Sequence, residues 1–157
     1  MQTALLVAAM LGAMAMPIVV SAQPAPATAD GKTIQSCLDR PDVSLGQACI
    51  GVVANPCMAA ADGDDAKVKS CIRRELAIWE AQLEAALRRV KRGGFRELTD
   101  AVSRSQEAWQ ASRGALCPVF DKIDPGMLPG GASHCTMHET ASRALVLRRL
   151  AEAVGEH

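Results

Sequence analysis

Six cysteines, at positions 37, 49, 57, 71, 117 and 135, constrain this chain more than any other feature. An even number in a small exported chain is the arithmetic of a disulfide framework. No Cys-x-x-Cys spacing occurs to suggest a thiol oxidoreductase. Three bridges are therefore expected, in a domain that starts near Ser36 and runs to the end of the 157 residues.

Export is read from the first 22 residues, which are apolar from Ala4 to Val20 and carry no Asp, Glu, Lys or Arg. That composition suits a signal-peptide core, and Val20-Ser21-Ala22 places small residues where a signal peptidase cuts. The run also approaches the roughly 18 residues of a membrane span, the alternative being an uncleaved anchor. Pro17 and the small residues after it argue for cleavage after Ala22. No cysteine stands near that cut for lipid attachment. The expected product is free, without stable membrane insertion, and periplasmic or secreted. Residues 23–35 begin Gln-Pro-Ala-Pro-Ala and read as a disordered linker.

Residues 36–65 hold Cys37, Cys49, Cys57, Pro41 and Pro56, so any helix there is short, with 43–53 the best candidate. Beyond Asp64 the pattern changes. Val68, Ile72, Leu76, Trp79, Leu83, Leu87 and Val90 recur at steps of three and four, the stripe of a long amphipathic helix. Asp62, Asp64 and Asp65 suit its start, and Gly93-Gly94 its stop. A second stripe at Phe95, Leu98, Val102, Trp109 and Leu116 runs to Cys117-Pro118, with Gly114 a point of fraying. So short a connection folds the two helices into an antiparallel hairpin. The breakers between 118 and 134 make a loop. A third helix follows, capped by Ser133 or by Thr136 with Glu139 as a capping box, and carrying Met137, Ala141, Leu147, Leu150 and Val154. No segment alternates as a strand does, so the expected class is all-α: a helical hairpin, a third C-terminal helix and a short disulfide-held N-terminal helical segment.

Cys117 closes the second helix and Cys135 opens the third, so a bridge between them tethers the intervening loop at both ends. In the chain-entropy model a closed loop of this size stabilises by about 3 kcal/mol. Cys37 with Cys49 and Cys57 with Cys71 is the simplest pairing of the remainder, one of several that six cysteines allow.

Lys and Arg balance Asp and Glu at 17 each, so nothing in the charge advertises nucleic acid. Locally, Arg88, Arg89, Lys91, Arg92 and Arg96 gather around the Gly-Gly turn. The macrodipole favours cations at a helix C-terminus, and the same cluster can face an anionic partner.

Within residues 71–150 the sequence resembles the LprI-like lysozyme inhibitor family, small exported helical domains. The match rests on Cys71, Glu75, Trp79-Glu80-Ala81-Gln82-Leu83, Ser105-Gln106-Glu107-Ala108-Trp109, Arg113, Cys117, Cys135, Thr140 and Arg143. Departures are Leu87 and Ser112, at positions where the family often has aromatic residues, and Glu84, where it often has Asn. The resemblance implies a lysozyme, or another envelope protein, as partner.

Spacing adds a structural expectation. Cys71, Glu75 and Trp79 share one helix face, and Gln106, Trp109, Arg113 and Cys117 share another. If those faces pack together, Glu75 and Arg113 enter the interior and need each other as an ion pair, joined by Gln106, Thr140 or Arg143. Both Trp are expected to anchor the core. Alternatively Arg113 or Arg143 is exposed and grips a carboxylate, such as those with which a lysozyme cuts sugars. The better inhibitor candidate is the tethered loop at 119–134, furnished with apolar Phe120, Ile123, Met127 and Leu128, because a pre-organised loop loses little entropy on binding. His134 and His138 stand four apart beside Glu139, but Cys135 is expected to be oxidised and no third ligand is evident. No metal, cofactor or catalytic residue is assigned, since no nucleophile motif, phosphate loop or acid and base pair appears. The function expected is a non-enzymatic binding protein, with an envelope structural or stress-related interaction module as the alternative.

Overall fold

Helix formation follows the apolar stripes closely. The computed structural model describes residues 28–43, 45–123 and 127–155, and no strand occurs among them. Its helices are α1 (Ala29–Leu38), α2 (Ala54–Ala59), α3 (Asp65–Gly93), α4 (Arg96–Leu116) and α5 (Gly131–Gly155), with 3-10 turns at Gln47–Cys49 and Cys117–Lys122. The signal peptide expected at 1–22 and linker residues 23–27 lie outside the described residues.

Asp64 caps α3 by accepting the Lys67 N–H at 3.1 Å, as its position before the stripe implies. Val68, Ile72, Trp79, Leu83, Leu87 and Val90 are all buried along its inner face. Gly93, at the end of α3, lies against Val154 at the end of α5, and Gly130, just before α5, lies against Ile72. The two helices therefore run parallel. Their backbones approach more closely than those of α3 and α4, because Ala86 meets a helix that buries Ala141, Ala144 and Ala151. Helix α4 runs back antiparallel to both, at the distance its larger side chains impose.

The N-terminal segment packs mainly against α3 and reaches α5 at Gly46. Arg74 of α3 grips Asp30 of α1 through Nε at 3.1 Å and Nη2 at 2.9 Å, and Gly46 sits against Leu145 of α5. The disulfides are Cys37–Cys49, Cys57–Cys71 and Cys117–Cys135. The first closes the N-terminal segment on itself, the second ties it to α3, and the third joins α4 to α5.

Four expectations are corrected. Residues 29–35 are helical rather than disordered, because Thr28 caps the Gly31 N–H at 3.1 Å and Ile34 is fully buried against the bundle. The described residues of 43–53 form no α-helix; a 3-10 turn covers Gln47–Cys49, and the α-helix of this region is Ala54–Ala59. Gly114 causes no break in α4. Finally, α5 begins at Gly131, ahead of both expected caps, and the Thr136 hydroxyl is spent inside the helix on the Ala132 carbonyl at 2.8 Å.

Candidate functional site

The residues singled out by sequence divide into three groups. The first centres on Glu75, fully buried on α3. Its Oε1 accepts from the Gly51 N–H at 2.6 Å and the Trp79 indole N–H at 2.8 Å; Oε2 accepts from the Val53 and Ala54 N–H groups at 2.9 and 2.7 Å. Val53 and Ala54 open α2, whose own N-cap residue supplies no side-chain oxygen. Glu75 thus caps α2 from another helix. The backbone reaches it because Gly51 holds φ at +92°, a left-handed conformation that favours glycine. The expected ion pair with Arg113 is not formed, since Glu75 faces the N-terminal segment and not α4.

The second group lies between α4 and α5. Arg113 donates to the buried Thr140 hydroxyl at 2.6 Å, which passes its own proton to the Thr136 carbonyl at 2.7 Å. Arg143 donates to Gln106 Oε1 at 3.0 Å and to Ser105 Oγ at 2.9 Å. Both guanidinium groups lie over the Trp109 ring, at 4.5 Å for Arg113 and 6.0 Å for Arg143, within cation–π range. Burial lowers the pKa of Arg143. Trp79 is the fully buried core anchor expected, and Trp109 is partly buried, packed against the same core with two arginines near its ring. These contacts occupy both arginines in joining helices.

The third group is the tethered loop. Pro118 stands at the start of the 3-10 helix Cys117–Lys122, where its fixed φ fits and its missing N–H costs nothing. Asp121 Oδ1 accepts the Ala132 N–H at 2.8 Å, so the loop supplies the N-terminal cap of α5. Gly130 holds φ at +83° with no room for a side chain against Ile72. The two ends of the segment are therefore tied to each other by the Cys117–Cys135 bridge and the Asp121–Ala132 bond. The segment exposes several apolar side chains, Leu116, Val119, Ile123 and Met127, the last by 77%, beside the charged Asp121 and Lys122. Phe120 and Leu128 turn partly inward and line a shallow groove with His134, His138 and Glu139. Residues 124–126 lie outside the described residues.

Leu116 and Val119 were not among the candidates, and Leu116 had been placed on an inner face. Pro118 is the signal for Val119, since the 3-10 turn there leaves the register of α4, whereas Leu116 is still the last residue of α4 and has no such signal. Burial and the adjacent His138 lower the pKa of His134. Among the described residues no three His, Cys, Asp or Glu side chains are grouped to hold a metal ion.

No curated protein and no solved structure matches the chain. A family model described as lysozyme inhibitor LprI matches residues 57–147, a span that starts at the cysteine bound to α3 and takes in Glu75, the Trp109 network and the tethered loop. With more than half its length so matched, the chain belongs to the LprI lysozyme inhibitor family.

Proposed function

We propose that the protein is a non-enzymatic periplasmic inhibitor that binds lysozyme through its tethered loop. The observation that carries this reading is the pairing of fixed backbone with exposed apolar side chains. Clustered exposed apolar residues on a small domain mark interaction sites, and fixing them beforehand removes ordering entropy from the cost of binding. Leu116, Val119, Ile123 and Met127 are exposed, and the Cys117–Cys135 bridge with the Asp121 cap ties the two ends of the segment that carries them. Arg113 and Arg143 are weaker candidates for gripping an enzyme's carboxylates, because each is held against α4 or α5 by hydrogen bonds to Thr140, or to Gln106 and Ser105, and neither is fully exposed.

The test is titration of the purified protein into lysozyme turnover assays, using enzymes of different classes. Turnover slows for at least one, and Val119→Asp with Met127→Asp abolishes the slowing while helicity is kept. Unchanged turnover at a large molar excess, across all classes, removes the reading.

A further inference from the structure

At the end of the bundle opposite the tethered loop, the turn between α3 and α4 presents a surface that packing does not explain. Residues 88–96 contain five cations, Arg88, Arg89, Lys91, Arg92 and Arg96, and no anion. All five are exposed. Arg88 approaches Glu84 at 3.9 Å and Arg96 approaches Asp100 at 3.8 Å, both pairs lying back along the helices. Among the described residues no carboxylate comes within salt-bridge distance of Arg89, Lys91 or Arg92. Glu97 stands exposed one residue beyond the cluster, and on the neighbouring α5 the Glu152 carboxylate is taken by Arg148 at 2.9 Å.

The macrodipole of α3 accounts for cations here. It does not account for Phe95. This ring had been expected on the inner stripe of the second helix, yet it is 67% exposed at the apex of the turn, surrounded in sequence by the cations. Phe95 stands before the first turn of α4 rather than on its apolar face, so the ring has no core to enter.

An exposed aromatic ring among five exposed cations, three of them without a carboxylate in reach among the described residues, matches one partner better than others. A bilayer with anionic headgroups offers phosphates to the arginines and an apolar layer just beneath them for the ring. We propose that the α3–α4 turn is a peripheral docking surface for anionic phospholipid. Five cations and one ring give reversible, salt-sensitive adsorption, not insertion, and no helix among the described residues is long and apolar enough to span a membrane. The 21 residues of α4 then hold the tethered loop about 30 Å from the lipid, with its apolar face free. The proposal does not depend on what the loop binds.

The experiment is co-sedimentation of the protein with vesicles of phosphatidylcholine alone or with one third phosphatidylglycerol. Wild type partitions onto the anionic vesicles more strongly than onto the neutral ones, and the difference disappears in high salt. Arg89→Gln, Lys91→Gln and Arg92→Gln together weaken that partition about a hundredfold, at about fivefold per charge removed. Phe95→Ser weakens it several-fold at unchanged charge. All four positions are exposed, so circular dichroism and thiol counting confirm that each variant keeps the fold. Equal binding to both vesicle types, or wild type and the triple variant behaving alike, overturns the proposal. So does binding to soluble heparin without binding to anionic vesicles, which makes the cluster a general polyanion patch.

Discussion

Glu75 and Trp79 stand one turn apart on α3 and are joined by the indole N–H donating to Oε1 at 2.8 Å. The bond orients the carboxylate toward three backbone N–H groups of a different segment, Gly51, Val53 and Ala54. All four partners are donors, as an acceptor-only carboxylate requires. A Glu75→Gln substitution keeps the shape but turns an amide NH2 toward N–H groups, leaving buried donors unsatisfied. The expected loss is about 2–4 kcal/mol, read from the urea midpoint. An unchanged midpoint would mean that the network is incidental to stability.

The loop anchor at Gly130 is equally specific. At φ +83° an L-residue is strained, and the added Cβ runs into the Ile72 side chain. Gly130→Ala is expected to cost about 2–3 kcal/mol. Gly114→Ala, at a helical position with open space around it, is expected to be neutral or slightly stabilising by about 0.5–1 kcal/mol. Thermal unfolding of the two variants side by side distinguishes backbone constraint from a general intolerance of change at glycine.

Replacing Cys117 and Cys135 together by serine removes a bridge spanning 18 residues of sequence. The chain-entropy model gives a loss of about 3 kcal/mol. Asp121 still accepts from Ala132, so α5 is expected to remain helical while hydrogen exchange accelerates across 118–130. Unaltered exchange there would show that the cap alone holds the loop.

Acidification is expected to weaken the fold through His134. Its imidazole is held below the ordinary value of 6.5, chiefly by burial and then by His138. The unfolded chain therefore takes up a proton first as pH falls, and stability declines below about 6.5 until the folded-state imidazole itself titrates. Glu75 opposes the shift. His134→Gln flattens this part of the stability profile, as urea midpoints across mildly acid pH will register; a profile identical to wild type would exclude His134 as the source.

The sequence made α3 and α4 legible because their apolar residues repeat at the helical period, with Asp64 and Gly93-Gly94 as punctuation. It did not reveal α1. That helix has few apolar residues, and its stability comes from docking: Ile34 enters the core and Asp30 meets Arg74, 44 residues away. Phe95 misled for a related reason. A ring three residues before Leu98 fits the stripe, yet the chain at the turn has not entered the helix, so periodicity has no meaning there.

Caps divide the two kinds of knowledge most clearly. A cap within the same turn, Thr28 for α1 or Asp64 for α3, is written in local sequence. The caps of α2 and α5 come instead from Glu75 and Asp121, 21 and 11 residues away. Sequence by itself determined the helical class and the long amphipathic elements, since these rest on local periodicity. Tertiary structure decided which helices lie closest, what Glu75 and Arg113 bind and which apolar residues are left outside. Those outcomes depend on how large and small side chains meet across helices: alanines are buried where α3 and α5 close together, whereas Trp109 and two arginines fill the join of α4 and α5.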